Sequence, residues 1–150
     1  DDLRWMRKAS ELSRRGPPSS TAFSVGAVIV DADGSEIATG YSRETDEHVH
    51  AEESALLKVS ADDPRLNQAT IYSTLEPCTQ RKSRPLSCTQ LILQSGLQRV
   101  VIAWREPDLF VSHCVGVERL RESGLEVVEI RELASEASSA NRHLIDPSCP

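Results

Sequence analysis

Short β-branched runs alternate along the chain with stretches in which apolar residues recur at helical spacing, and the runs predict five strands. The first run, FSVGAVIVD, is almost entirely apolar, which is typical of a strand that is buried on both faces. Asp33-Gly34 follows it and is a strong hairpin signal, so we expect the first two strands to pair antiparallel. The predicted strands cover 23–31, 36–42, 69–74, 99–104 and 125–130.

Helical spacing predicts five helices around these strands. Ala51, Ala55 and Val59 recur at i, i+4 and i+8, which places them on one helix face. Ser87 and Gln90 have the spacing of a capping box, so a helix should begin at Cys88 and end near Gly96. The predicted helices cover 1–15, 49–60, 88–95, 115–123 and 131–144. Because strands alternate with helices in the second half, we expect an α/β fold: a three-layer α/β/α sandwich around a five-stranded mixed sheet.

Composition adds limits on the partners of the chain. At 150 residues we expect one domain, 1–150, that buries a core without disulfide bonds. No apolar run approaches the roughly 20 residues of a membrane span, so no membrane partner is expected and a cytoplasmic setting follows. The net charge of −6 disfavours a nucleic acid partner, which usually requires a basic surface.

One histidine, one glutamate and two of the four cysteines have the pattern of a catalytic zinc site. His50, Cys78 and Cys88 are predicted at or just before helix starts, where the helix dipole favours thiolates. Three protein ligands leave the fourth position of Zn²⁺ open for water. Glu52 has the character of a proton shuttle beside that water. A structural histidine and core cysteines are the alternative, which the conjunction of these residues disfavours.

The spacing of the two cysteines departs from the short signature of zinc deaminases. That signature is H-x-E followed by P-C-x-x-C, whereas nine residues separate Cys78 from Cys88 here. Five segments nevertheless resemble the deaminase of riboflavin biosynthesis, in its fungal form, a branch of the cytidine deaminase-like superfamily in which an inserted loop separates the cysteines. They are TAFSVGAVIV at 21–30, ATGYSRE at 38–44, HAEESAL at 50–56, TLEPCTQRKS at 74–83 and EPDLFV at 106–111.

The resemblance implies a cytidine deaminase-like fold and a substrate. The substrate would be a 2,5-diamino-6-ribitylamino-pyrimidinone 5′-phosphate, or its ribosylamino form, which loses the C2 amine as ammonia. His50, Cys78 and Cys88 would be the zinc ligands and Glu52 the proton shuttle. The loop between the cysteines would bind the phosphate, and a homodimer or homotetramer is expected by analogy. The phosphate candidates are Arg81, Lys82, Ser83 and Arg84, the densest basic cluster of this acidic chain.

Two segments depart from the family pattern. Ser112-His113-Cys114 stands where the fungal proteins have an Asn-rich stretch, and Ala22-Phe23-Ser24 stands where the bacterial form has Pro-Asn-Pro. Phe23 and His113 are therefore candidates for contact with an altered substrate, while Cys114 and Cys149 are assigned no chemistry. A deaminase of another pyrimidine or purine base or nucleoside, and a non-catalytic zinc-stabilised module, are the alternative functions.

Overall fold

Five strands form one mixed sheet in the computed structural model, which describes residues 1–107 and 114–145. The strands are β1 (Gly26–Val30), β2 (Glu36–Tyr41), β3 (Thr70–Leu75), β4 (Arg99–Trp104) and β5 (Glu126–Glu129). Their order is β2-β1-β3-β4-β5; β1 is antiparallel to β2 and β3, whereas β3, β4 and β5 are parallel. The predicted fold class, with the hairpin at one side of the sheet, is confirmed.

Helices cover both faces of the sheet because alternate strand residues point to opposite sides. Ala27 and Ile29 of β1 join one apolar cluster, whereas Val28 and Val30 join the other. The first cluster lies under α2 (Ala51–Leu57), α3 (Cys88–Ser95) and α4 (Gly116–Glu122). The second lies under α1 (Asp2–Ser13) and α5 (Ala134–Ala137). The C-terminal segment ends in α6 (Arg142–Ile145), whose Leu144 packs against the first cluster. No helix among the described residues is long and apolar enough to cross a membrane.

The helix that carries the histidine packs unusually close to the sheet. A Cβ atom added at Gly40 of β2 would lie 2.4 Å from the carbonyl oxygen of Ala51 and 2.6 Å from the amide nitrogen of Ala55. Only glycine allows this approach, so β2 and the first turns of α2 are held together by backbone contact. The N-terminal end of α2 is thereby fixed at the edge of the sheet.

The prediction of one C-terminal helix over 131–144 is wrong. That segment consists of 3-10 turns at Arg131–Leu133 and Ser139–Asn141 alternating with α5 and α6. Asn141 is fully buried, and its side-chain amide accepts from the backbone N–H of Ser24 and donates to the Ser24 carbonyl. A local side-chain bond also occurs in this segment, where the Ser138 hydroxyl donates to the Ser135 carbonyl, and such bonds compete with helical backbone bonds. The contact of Asn141 explains why β1 starts at Gly26 and not at residue 23, since Ser24 bonds to Asn141 instead of a neighbouring strand.

Smaller differences concern element ends and one added turn. A 3-10 turn at Pro64–Gln68 connects α2 to β3 and was not predicted. The capped helix at Cys88 is confirmed in detail: Ser87 accepts from the N–H of Gln90, the Gln90 side chain accepts from the N–H of Ser87, and Gly96 ends the helix.

Candidate metal centre and active site

The three predicted metal ligands converge at one end of the sheet. His50 is the N-cap of α2, Cys88 is the first residue of α3, and Cys78 lies in the loop after β3. The Nδ1 atom of His50 is 3.2 Å from the Sγ atom of Cys88 and 3.7 Å from that of Cys78, and the ligand atoms of all three lie within 4.8 Å of one another. Two ligands on one tetrahedral zinc ion are separated by roughly 3.5–3.8 Å, given bond lengths of about 2.0–2.3 Å. The triad therefore fits a zinc ion.

The expectation that each ligand lies at or just before the start of a helix is wrong for Cys78, because the next helix along the chain begins only at Cys88. Its Sγ atom instead accepts a hydrogen bond from the backbone N–H of Cys88, at 3.3 Å, and so lies at the start of α3 through space. The Thr89 N–H also donates to the Cys78 carbonyl. The helix dipole thus acts on both thiols at the same helix end.

The two thiols are electrostatically linked. The contact with the Cys88 thiol, which donates to Cys78, lowers the pKa of Cys78 to about 4, and His50 adds to this effect. The same contact, together with complete burial, raises the pKa of Cys88 well above its usual value. Two adjacent buried thiolates need a neutralising positive charge, and a divalent cation at the triad supplies it. The donor chemistry therefore suits zinc as well as the geometry does.

Glu52 lies in the first turn of α2 with only 3% of its surface exposed. Burial is the main reason that its pKa is raised to about 7, with the nearby Cys78 contributing in the same direction. A carboxyl group with a pKa near neutrality can both accept and release a proton at physiological pH. Burial of this carboxyl group beside the triad agrees with the predicted proton shuttle, and that role stays a prediction.

A cavity of about 480 Å³ opens beside the triad, a volume suited to one small heterocyclic ligand. Phe23 forms part of the wall, and its ring packs edge to face against Trp104 with centroids 5.4 Å apart. The polar lining comprises carboxyl groups, hydroxyl groups, one arginine, one amide and two histidines. These are Glu47, Glu52, Glu76, Glu106, Ser19, Thr21, Ser42, Ser83, Arg43, Gln80, His48 and His50.

The predicted substrate-binding residues fall into three groups. Phe23 and Ser83 line the cavity. Arg81, Lys82 and Arg84 are not among the described residues that line the cavity. Lys82 is exposed to solvent, and the guanidinium groups of Arg81 and Arg84 bond to carboxylates instead. His113 lies outside the described residues, as do positions 108–111 of the EPDLFV segment and Cys149. Their substrate contacts remain predictions.

Three charged lining residues were missed as site residues although each lies in one of the segments that resemble the family. Glu76 is only 2% exposed, and its two carboxylate oxygens accept the backbone N–H groups of Glu106 and Val117, at 3.1 and 3.0 Å. The pKa of Glu106 is raised to about 8, mainly by burial and to a smaller extent by Cys78 and the neighbouring glutamates. Arg43 is the third. Their positions in TLEPC, EPDLFV and GYSRE were the available signal, but the residue types alone indicate no chemistry.

Comparison with known proteins agrees with the site. The model of the cytidine and deoxycytidylate deaminase zinc-binding region matches residues 1–104. The chain is 43% identical over 127 residues to the diaminohydroxyphosphoribosylamino-pyrimidine deaminase of Schizosaccharomyces pombe, a match that covers 83% of this chain and 31% of that protein. The chain thus spans about a third of the length of the curated relatives it matches.

Solved structures of riboflavin-biosynthesis deaminases are also similar to this chain. RibD of Acinetobacter baumannii superposes with a TM-score of 0.81 at 30% identity, over 96% of this chain and 39% of that chain. A C-terminal deletion mutant of the Rib2 deaminase of Aspergillus oryzae superposes with a TM-score of 0.76 at 26% identity, over 95% of this chain and 94% of that chain. The resemblance to deaminases of riboflavin biosynthesis is confirmed. The chain belongs to the cytidine and deoxycytidylate deaminase family, and His50, Cys78 and Cys88 lie in its zinc-binding region.

Proposed function

We propose that this chain is a zinc-dependent hydrolytic deaminase of riboflavin biosynthesis. Its substrate is 2,5-diamino-6-ribitylamino-4(3H)-pyrimidinone 5′-phosphate, or the ribosylamino form, from which it removes the C2 amine. The observation that carries the proposal is the buried Glu52 beside a zinc-fitting triad in a cavity of ligand size. The names of the relatives support this choice of substrate over other aminopyrimidines.

In the reaction, water adds to C2, the carbon that carries the amine. Ammonia then leaves, and C2 becomes a carbonyl carbon. A bound zinc ion supplies Lewis-acid activation of water at this site. His50, Cys78 and Cys88 hold the ion. Glu52 takes a proton from the attacking water and hands a proton to the departing amine, so that the carboxyl group ends the cycle in its starting state. Phe23 offers its ring as a wall for the pyrimidine.

The phosphate contacts are a separate part of the proposal. The family resemblance implies phosphate contacts for Arg81, Lys82, Ser83 and Arg84 of the inter-cysteine loop, and His113 is a further candidate for substrate contact because its segment departs from the family pattern. Ser83 lines the cavity, which supports it most directly. If Arg81 and Arg84 bind the phosphate, replacing both will raise the Michaelis constant for the phosphorylated substrate.

Glu52→Gln tests the acid-base role. The amide keeps the size of the side chain but cannot accept the proton of water, so ammonia release should fall by about 10²–10⁴-fold. Zinc content, measured on the same sample, should stay at one ion per chain. Glu122→Gln, at an exposed position in α4, is the matched control and should retain wild-type activity. Wild-type turnover in Glu52→Gln would exclude the shuttle.

Substrate choice requires a panel. Ammonia release from the phosphorylated and dephosphorylated pyrimidine should be compared with release from cytosine, guanine and their nucleosides. Preference for a nucleoside would indicate a nucleoside deaminase of the same family. Zinc binding without turnover of any substrate would favour a non-catalytic, zinc-stabilised module.

We also propose that residues 1–150 form a single domain that acts in the cytoplasm as a homodimer or homotetramer. Light scattering of the zinc-loaded protein measures the assembly, and a monomer at micromolar concentration would contradict it.

A further inference from the structure

We propose that Glu53, Arg81 and Arg84 form an ion-pair clamp that positions His50 against the two cysteines of the metal site. This group, the Glu53 clamp, connects the first turn of α2 with the loop between Cys78 and Cys88. In this proposal its members are positioning residues that act on the zinc ligands, which for Arg81 and Arg84 is the alternative to the phosphate contacts that the family resemblance implies.

The carboxylate of Glu53 is the centre of the clamp. Its Oε1 atom accepts the backbone N–H of His50 at 3.2 Å and a guanidinium N–H of Arg81 at 3.1 Å. Its Oε2 atom accepts the Nε–H of Arg84 at 3.2 Å. One carboxylate therefore binds both the backbone of a metal ligand and the loop that carries the other ligands.

The two arginines reach further along the segment that precedes α2. Arg81 donates to the backbone carbonyl of His48 at 2.7 Å, and Arg84 forms a two-pronged pair with Asp46 at 2.9 and 2.7 Å. The inter-cysteine loop is thus attached directly to Asp46 and His48, and through Glu53 to His50. These attachments fix the approach of His50 to the thiols.

Burial makes these contacts stronger than ordinary surface ion pairs. The Arg81 side chain is 4% exposed and that of Glu53 is 14% exposed. A guanidinium removed from water needs a counter-charge, and Glu53 provides it. Salt screens such a pair much less than an exposed pair. Neither arginine is among the described residues that line the cavity, so the position of their charge suits the clamp better than contact with a bound ligand.

Zinc affinity tests the clamp without any need for turnover. Partners that orient metal ligands typically contribute about 10–100-fold to metal affinity. Arg81→Ala and Glu53→Ala should therefore weaken zinc binding by that factor in competition with a chromophoric chelator. Arg81→Lys should recover part of the loss, because an ammonium can pair with Glu53 but cannot also reach His48. Lys58→Ala, which removes the ion pair with Glu44 at the other end of α2, is the matched control and should leave affinity unchanged.

The competing role, phosphate binding, gives a different result. A clamp predicts that Arg81→Ala changes the Michaelis constants for phosphorylated and dephosphorylated pyrimidine by the same factor. Unchanged zinc affinity, with a higher Michaelis constant for the phosphorylated form only, would overturn the clamp. If Arg81→Ala does not fold, Arg84→Ala serves instead, since its side chain is 30% exposed and its loss is tolerated more easily. Failure of the deaminase proposal leaves the zinc measurement valid.

A different observation, at the cavity wall, leads us to infer that Arg43 binds an anionic group of the ligand. This inference rests on the proposed function only for the identity of the phosphate. Arg43 is the one arginine or lysine among the described lining residues, whereas four glutamates line the same cavity. A dianionic ligand would be repelled there unless it lay next to this cation.

The hydrogen bonds of Arg43 leave it able to bind a ligand. It donates to the carbonyl oxygens of Pro17 and Phe23, at 3.0 and 3.3 Å, and to the hydroxyl of Ser24. A guanidinium has five N–H donors, so two make no hydrogen bond to the described residues, and none of the three partners carries a negative charge. Burial lowers the pKa of Arg43, as expected for a half-buried cation that forms no ion pair with the carboxylates of residues 1–107 and 114–145. A phosphate would supply that counter-charge.

Ribose 5-phosphate and ribose are the probes, with binding measured by calorimetry on zinc-loaded protein. Arg43→Gln should weaken ribose 5-phosphate binding at least about tenfold and leave ribose unaffected; Arg43→Lys should lose less. Equal affinity of wild type and Arg43→Gln for ribose 5-phosphate would overturn the inference. An equal loss of affinity for ribose 5-phosphate and ribose would also overturn it, because it would indicate that Arg43 only stabilises the cavity wall. If no substrate is deaminated but phosphate binding still depends on Arg43, the deaminase proposal fails while this inference holds.

Discussion

Glu76 is the residue whose replacement should most directly expose how the site is built. Its carboxylate is 2% exposed and accepts the backbone N–H groups of Glu106, after β4, and Val117, in the first turn of α4. Its own N–H donates to the Trp104 carbonyl at the end of β4. One side chain thus connects the end of β3, next to Cys78, with the two elements that follow along the sheet.

Glu76→Gln changes this arrangement by one atom. One carboxylate oxygen becomes an NH₂ group that faces a backbone N–H, so one buried donor loses its acceptor, at a cost of about 1–3 kcal/mol. The other contact changes from a charge-assisted to a neutral hydrogen bond, which weakens it by about 1 kcal/mol. The total is about 3 kcal/mol, equivalent to a decrease in Tm of roughly 6–12 °C for a chain of this size.

Urea and thermal unfolding with zinc at saturation measure the effect. The urea midpoint should fall while the m-value stays unchanged, since the folded surface is the same. Glu126→Gln, which removes an exposed ion pair with Arg99, is the control and should change stability by less than about 0.5 kcal/mol. If Glu76→Gln were as stable as this control, the carboxylate would not be holding the three segments together.

Three further perturbations have defined outcomes. Gly116→Ala places a Cβ atom 2.2 Å from the Pro77 carbonyl oxygen, so overpacking should lower the free energy of unfolding by about 2 kcal/mol. Because Pro77 adjoins Cys78, zinc binding should also weaken. A wild-type zinc affinity in chelator competition would contradict this expectation. Asp2 has a pKa lowered from 3.8 to about 2, chiefly by its hydrogen bond from Arg99. Its stabilisation is present above pH 4 and lost as pH falls towards 2. The shift corresponds to about 2.4 kcal/mol, which solvent screening of this one-third exposed side chain reduces to about 1 kcal/mol; Asp2→Asn should remove that pH dependence in acid titrations followed by circular dichroism. Removal of zinc by a chelator should lower the free energy of unfolding by about 2.7 kcal/mol, relative to protein in a free zinc concentration of 100 times the dissociation constant. An unchanged Tm would exclude zinc binding to the native state.

The parts of the site that the sequence predicts well are those set by neighbours in the chain. The start of α3 at Cys88 follows from Ser87 and Gln90, which form the capping box within four residues. The position of Glu52 in a first helical turn follows from the apolar spacing of α2. Local hydrogen-bonding chemistry and periodicity determine such features, and both can be read along the chain.

The features that the sequence does not reveal depend on residues far apart in sequence. The break in the C-terminal helix depends on Asn141, whose partner Ser24 is 117 positions away. The surroundings of Arg81 depend on Glu53, 28 positions away. A basic cluster in a sequence shows where cations are concentrated but not which carboxylates they meet after folding. The cations of the inter-cysteine loop therefore suggested an anion site, although two of them bond to acidic residues of the same chain.

The wide cysteine spacing and the charge of the intervening loop can be understood as one feature. Cysteines three positions apart can both lie at a helix start, and that helix alone positions them. Here Cys78 precedes the loop and only Cys88 is in the helix, so the nine residues between them must themselves be held in place. Arg81 and Arg84 hold them against Glu53, which also binds the backbone of His50. The insertion that separates the two thiols therefore carries the cations that return the loop to the histidine, and the metal site depends on both ends of the loop being fixed.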